Sequence, residues 1–570
     1  MKNTKRARRA AAFAAAVVMA ACAAIPMGSS FSASAAGNNS ITIDGFNTTE
    51  NNDNGTHTYE AYQVFAGQYA GGVLSNITWG SGVDGDAIVA DLADAKGDLA
   101  AFKGLDSAKA IAEELAKATD NDAVAKAFAA LVGKNLKDNA KSGTYAGGKI
   151  TDLEDGYYLV QDASDSPDST VGANNNGAKT RFILKVAGGG NVTVTAKSSA
   201  PSVIKKVKED DKTVDGTVTV GSYKADAQYN DVADYCIGEN VPFELISTMP
   251  STYDDYTSYF YQFTDTLATN FTLNTGSISV KVVNAGGETT LTAGDDGDYT
   301  VSSQDASGKF TITINDTKKI TSITKDSTIV VDYTAQLNSG AVIGLDGQEN
   351  KVDLTYSNNP NYTGKGEETP EGDKGKTPED KVIVFTYELD VTKYLGDEHT
   401  KADAENGTKA GFKLSNADGK WATVDANMRI TSWVDNVADA TEVTTNADGI
   451  FKFVGLDDGT YTLRETTTPT GYNTMADLAL TIGATTANNQ TWTGTAKDAL
   501  TAIKLNMNNV ETDGSVSDGK VEGSITNQKG STLPSTGGIG TTMFYVGGGV
   551  LVAGAGVILI TKKRAKKDAE

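Results

Sequence analysis

The run Phe385-Thr-Tyr387-Glu-Leu389-Asp-Val391-Thr-Lys393 alternates apolar and polar residues without a break, then delivers a lysine in phase with the apolar set. In a strand packed on one face, residues two apart point the same way. A chain with this pattern folds the segment as a half-buried strand and must find the inward amine a partner. The same phase rule sends Glu465 inward in Tyr461-Thr-Leu463-Arg-Glu465, and Asn527 inward in Ile525-Thr-Asn527. An earlier region repeats the set: Val203, Lys205 and Val207 share a face, as do Phe263, Asp265 and Leu267, and Val352, Leu354, Tyr356 and Asn358. A structural alternative has each lysine snorkelling at a strand end, each acid pairing with it and each asparagine capping a turn.

Burial favours the neutral forms of an amine and a carboxylic acid, lowering the pKa of the first and raising that of the second. A neutral amine is a nucleophile, and a protonated acid can polarise a carboxamide and move protons as ammonia leaves. The product is a Lys–Asn amide crosslink. Joining distant strands of one domain, it restricts the unfolded chain as a disulfide does. Cysteine cannot do that here, because only Cys22 and Cys236 are present and Cys22 lies in the N-terminal leader.

The 570 residues are expected to form several domains. Lys2, Lys5, Arg6, Arg8 and Arg9 precede an Ala/Val-rich run and the small residues Ser32 to Ala36, the pattern of a signal peptide spanning 1–36. Strand-like ends flank an Ala/Leu-rich stretch of helical spacing, Asp84 to Leu136, so 37–200 reads as a sheet domain with a helical insertion. Residues 201–362 read as a β-sandwich, 363–380 as a charged linker, and 381–530 as a second all-β domain. The expected fold class is mainly β, in tandem immunoglobulin-like sandwiches. Within 531–570, Leu533-Pro534-Ser535-Thr536-Gly537 precedes the apolar run Met543 to Ile560, and Lys562, Lys563, Arg564, Lys566 and Lys567 follow it. That order predicts a membrane span with a cytoplasmic tail.

Removing the five leader cations and the net three positive charges of the tail takes the formal charge from −23 to −31, which argues against nucleic-acid binding. His57 and His399 are the only histidines, disfavouring histidine-rich metal sites and a Ser-His-Asp hydrolase. The pairs Asp254-Asp255 and Asp295-Asp296 could hold a cation, but Asp/Gly-rich turns are ordinarily turns, and no metal or cofactor is expected.

Three stretches carry a family resemblance: Tyr461-Thr-Leu-Arg-Glu465-Thr-Thr-Thr-Pro-Thr-Gly-Tyr472, Phe263-Thr-Asp265-Thr-Leu267 and Tyr356-Ser-Asn358-Asn359-Pro360. The first resembles the E box of sortase-assembled pilins of Gram-positive bacteria, which are built from collagen-adhesin B-type and related immunoglobulin-like domains. The resemblance implies isopeptide bonds Lys205–Asn358, assisted by Asp265, and Lys393–Asn527, assisted by Glu465; Asn359 competes with Asn358, and strand phase favours Asn358. The motif Leu533 to Gly537 resembles the cell-wall sorting signal of sortase substrates. A sortase cysteine would attack the Thr536 carbonyl and hand the acyl group to a second amine. In shaft pilins that amine belongs to a lysine at the end of the first domain. Val192-Thr-Val194-Thr195-Ala196-Lys197 stands there, with Thr-Ala where the family has Tyr-Pro; Lys185 or Lys208 could substitute.

The first domain departs from the pattern. Gly156-Tyr-Tyr158-Leu-Val160-Gln-Asp162 resembles an E-box strand with Asp for Glu, but no lysine occurs between Gly37 and Lys96, and Gln63 takes the in-phase position. No first-strand isopeptide bond is expected there, and Asp162 is expected to be a hydrogen-bonded structural residue. Lys206, out of phase with Lys205, is expected to be solvated.

The resemblance thus implies a non-enzymatic shaft subunit of a surface pilus. Its implied partners are pilus-type and housekeeping sortases, identical subunits, accessory pilins and peptidoglycan. A monomeric or accessory wall-anchored adhesin binding host matrix or glycans is the alternative.

Overall fold

The computed structural model describes residues 37–567 apart from 46–51, 54, 120–121, 165–176, 398–399, 403–406, 491, 493 and 531–538. The leader, His399 and the motif Leu533 to Gly537 therefore lie outside the described residues.

Two four-stranded sheets build the first domain. In one, Asn39–Asp44 lies between Lys149–Leu153 and Asn191–Thr195, pairing in parallel with the latter through Ile41 and Val192. In the other, Tyr59–Ala70 pairs with Gly156–Asp162 and Val73–Trp79. Helices Gly85–Leu92, Ala108–Leu115 and Ala123–Lys134 follow Val73–Trp79. Asp84, Ser107 and Asp122 cap them by accepting bonds from Ala87 N, Ala110 N and Val124 N. Their apolar faces bury Ile88, Leu92, Ile111, Phe128 and Val132 against Phe65 and Tyr157 of the second sheet.

The middle domain is a sandwich. One sheet runs Tyr229–Asn230, Val203–Lys208, Asn240–Thr248, Thr328–Leu337, Phe271–Asn284, Gly287–Thr290. The other contains Val232–Asp234, Asp380–Phe385, Gln348–Ser357, Tyr261–Leu267, Lys309–Ile314 and Thr300–Val301. Between them pack Phe243, Tyr333, Phe263, Phe310 and Leu354.

The strand Asp380–Phe385 belongs to this domain, pairing Gln348 with Val384 and Val352 with Asp380. The apolar run that reads as one continuous strand in the sequence is divided at Thr386, whose hydroxyl donates to the Leu456 carbonyl at 3.1 Å. Alternation reports which face is buried, not which sheet buries it. The charged stretch 363–380 is also built into this sheet, where Lys374–Lys376 pairs with Thr355 to Ser357.

In the C-terminal domain Tyr387–Leu395 is flanked by Ile450–Leu456 and, in parallel, by Lys520–Asn527. The facing sheet centres on Gly459–Thr467 between Gly411–Ser415 and Leu478–Thr486. The last helix, Ile539–Lys567, presents Phe544, Leu551 and Leu559 to its surroundings, each at least two-thirds exposed. Among the described residues no helix is long and apolar enough to cross a membrane. Met543, the start of the expected span, is not among the described side chains of this helix, which begin at Phe544.

Candidate functional site

Each of the two sandwiches buries one lysine, one acid and one asparagine together. In the C-terminal domain the parallel pairing of first and last strands sets Lys393 opposite Ile525 and Leu395 opposite Asn527. This register brings the Lys393 Nζ within 2.5 Å of the Asn527 Oδ1, to which it donates. From the facing sheet, Glu465 accepts from Asn527 Nδ2 at 2.7 Å and from Met475 N at 2.8 Å, and lies 3.5 Å from the amine. The lysine side chain is fully buried and its Nζ sits 5.3 Å from the Phe412 ring centroid. Burial lowers its pKa while Glu465 opposes the shift.

The middle domain builds its set across the two sheets. Lys205 pairs with Leu245 in one sheet, and Asp265 pairs with Val352 in the other. Lys205 Nζ donates to the Asp265 carboxylate and, at 2.8 Å, to the Tyr333 hydroxyl. Burial pushes the Lys205 amine down to about 8 against the raising influence of Asp265, and it pushes the Asp265 carboxyl up against the lowering influence of Lys205.

The asparagine in this cluster is Asn350, whose Nδ2 donates to the Tyr333 hydroxyl at 2.8 Å. Asn358, the residue expected there, is placed elsewhere. Leu267 pairs with Asn350, Asp265 with Val352 and Tyr261 with Tyr356, so Asn358 lies beyond the far end of the acid-bearing strand. Six residues separate it from Val352, roughly 20 Å along a strand. Its backbone carbonyl instead accepts from Lys179 N at the seam with the first domain. Asn359, the other candidate, donates from Nδ2 to Asp373 at 2.8 Å. Asn350 and Asn358 share one strand face, so phase cannot separate them. The signal that could have found Asn350 is its place at the acid's end of the strand, in phase with Val352.

In the first domain His57 Nδ1 donates to Asp162 at 2.7 Å, and Asp53 lies 3.4 Å from Nε2. Burial alone would lower the His57 pKa, but Asp162 and Asp53 overcome it and hold it at about 9. Asp162 also accepts from Thr180 N at 3.0 Å. Gln63 is buried and reaches the Tyr158 hydroxyl at 3.3 Å.

The three lysines around Pro201 occupy three environments. Lys197 is exposed between strands Asn191–Thr195 and Val203–Lys208, whereas Lys185 and Lys208 are half-buried. Lys206 is buried rather than solvated, ion-paired to Asp231, which follows the strand Tyr229–Asn230 paired beside it. Of the acidic pairs, Asp255 is engaged by Lys126 at 3.2 Å and Arg181 at 3.3 Å, and Asp295 and Asp296 are exposed. Among the described residues two sets of acids crowd together, Glu209 with Asp210 and Asp211, and Asp211 with Asp234 and Asp458, and Lys212 lies 2.5 Å from Asp234 and 2.9 Å from Asp458.

Three family models match the chain: a Gram-positive pilin backbone subunit 2, Cna-B-like domain over residues 237–360, a prealbumin-like fold domain over 398–498, and an LPXTG cell wall anchor motif over 525–568. The chain is similar to the trypsin-resistant surface T6 protein of Streptococcus pyogenes serotype M6, 24% identical over 281 residues, 41% of this chain and 48% of that one. It thus spans about half the length of the curated relative it matches. Among solved structures, the T6 backbone pilin of serotype M6 Streptococcus pyogenes aligns at 17% identity with a TM-score of 0.49, covering 86% of this chain and 98% of that one. The full-length major pilin SpaD of Corynebacterium diphtheriae aligns at 15% identity with a TM-score of 0.44, covering 88% and 99%.

Proposed function

From its pilin-backbone domain, its prealbumin-like domain and its LPXTG cell wall anchor, in that order along the chain, we propose that this protein is the shaft subunit of a covalent pilus on a Gram-positive cell surface. It acts as a structural element and a sortase substrate rather than an enzyme. The apolar run Met543 to Ile560 and the basic residues that follow it in the sequence would hold the exported chain at the membrane while a sortase cysteine attacks the Thr536 carbonyl. The released segment begins at Gly537. The acyl group passes to Lys197 of the next subunit, whose exposure between two domains supports this assignment.

Within each subunit, Lys393 bonds to Asn527 and Lys205 to Asn350, with Glu465 and Asp265 as the assisting acids. The observation that carries this reading is the 2.5 Å approach of the Lys393 amine to the Asn527 carboxamide beside a buried carboxyl group. The amine transfers a proton to the acid, attacks the carboxamide carbon, and ammonia leaves as the proton returns to the departing nitrogen. The bonds close loops of 134 residues for Lys393–Asn527 and, by subtraction of residue numbers, 145 for Lys205–Asn350. On a chain-entropy model, closing a loop of this size contributes about 5 kcal/mol.

Denaturing gels of the native cell wall test the polymer. A high-molecular-weight ladder lost on deletion of Thr536 and on Lys197→Ala is expected. A ladder that survives Lys197→Ala moves the linkage to another lysine, and no ladder in the parent refutes the shaft assignment.

A further inference from the structure

The two crosslink clusters differ in how the acid reaches the carboxamide. Glu465 accepts directly from Asn527 Nδ2, the nitrogen that departs as ammonia. Asp265 is one methylene shorter, and a phenolic hydroxyl stands between it and Asn350. Tyr333, on strand Thr328–Leu337 and 1% exposed, donates to Asp265 Oδ2 at 2.8 Å and accepts from Asn350 Nδ2 and Lys205 Nζ, each at 2.8 Å. One donated and two accepted bonds exhaust what a hydroxyl can do. Every member of the cluster meets this oxygen. Among the described residues Asn350 Oδ1 and Asp265 Oδ1 have no hydrogen-bond partner.

We propose that Tyr333 is a catalytic residue of the Lys205–Asn350 crosslink, holding the leaving nitrogen of Asn350 and carrying the proton from Asp265 to it. The inference rests on the crosslink reading given above. Lys205 first gives a proton to Asp265, and the neutral amine attacks Asn350 Cγ. In the tetrahedral adduct Nδ2 becomes basic. Tyr333 donates its proton to Nδ2 and takes the Asp265 proton in return, the Cγ–Nδ2 bond breaks, and ammonia leaves. The attacking nitrogen then gives its surplus proton to Asp265, which restores the carboxyl group. Burial beside Asp265 keeps the Tyr333 phenol protonated throughout the neutral range, as a donor in this relay must be.

The test is peptide-level mass of the full chain carrying Tyr333→Phe, which keeps the ring and removes one oxygen. The expected result is an intact Lys393–Asn527 bond, which also reports a folded C-terminal domain. It is accompanied by a Lys205/Asn350 pair that is unbonded at purification and matures roughly 10²-fold more slowly than in the parent, the scale of a lost proton-transfer group. Asp265→Glu in the Tyr333→Phe background should restore the bond, because the longer carboxyl can reach Nδ2 directly as Glu465 does. A purely structural tyrosine would show no such rescue. Full crosslinking of Tyr333→Phe, or a deficit that Asp265→Glu leaves unchanged, overturns the role of Tyr333. An unbonded Lys205/Asn350 pair in the parent overturns the crosslink itself, and this inference with it.

Discussion

The middle and C-terminal domains bury the same three residue types in opposite geometries. In the C-terminal domain the lysine and asparagine sit on neighbouring parallel strands of one sheet, and the acid comes from the facing sheet. In the middle domain Lys205 and Tyr333 belong to one sheet and Asp265 and Asn350 to the other, so a bond there would rivet the two layers together. The first arrangement needs only register, because first and last strands are already adjacent. The second needs the two layers to close on each other before the amine meets its acceptor, and a hydroxyl to span what the shorter acid cannot. The first domain makes the contrast sharper. A histidine between two carboxylates fills the polar place in its core, where the other two domains bury a lysine and an asparagine.

The largest expected effect comes from Lys393→Ala, which removes the amine and with it about 5 kcal/mol of loop-closure stability. Calorimetry should show the C-terminal domain melting far below the middle domain, where the parent melts both at high temperature. Glu465→Ala should leave Lys393 and Asn527 unbonded, so the chain retains one ammonia that the parent loses. If it matures normally, the two domains do not share a chemistry.

A smaller effect separates the first domain from both. Its His57 pKa is raised from 6.5 to about 9, so the pairing stabilises the fold fully below pH 6.5 and is lost as pH rises through 9. At 1.36 kcal/mol per unit this is about 3 kcal/mol. Asp162 is held below its ordinary value, and its contribution is lost as the pH falls below the unfolded value near 3.8. The first domain should therefore lose protease resistance at alkaline pH while the two domains with proposed crosslinks keep theirs, and equal alkaline resistance in all three would contradict the ion network. Smaller again, Asn358→Ala keeps the backbone carbonyl that accepts from Lys179 N and should leave the mass deficit intact, whereas Asn350→Ala should abolish half of it. Lys504→Ala, which breaks an exposed pair with Glu511, should change melting by well under 1 kcal/mol.

Much of the polar chemistry was legible because a period of two is a strong constraint. Lys205, Asp265, Lys393, Glu465 and Asn527 all lie on the core faces that alternation assigns them. What alternation cannot carry is distance along a strand or the identity of the neighbouring strand. Asn350 and Asn358 are equivalent in phase and differ only in register against Asp265, which is a property of pairing between segments some 85 residues apart. The transfer of Asp380–Phe385 to the middle sheet escaped for the same reason. Lys206 escaped because a residue out of phase with the core can still be buried, here in an ion pair with Asp231. Tyr333 reads as an ordinary aromatic core position in Val331-Asp-Tyr333-Thr-Ala335, and only the three-dimensional convergence on its hydroxyl distinguishes it.

The most direct test of the central claim is fragment mass spectrometry of the exported chain after protease digestion. Two branched peptides are predicted, one joining Lys393 to Asn527 and one joining Lys205 to Asn350, each lighter by one ammonia than its parts. Linear peptides containing free Lys393, Asn527, Lys205 and Asn350 at full mass would contradict it.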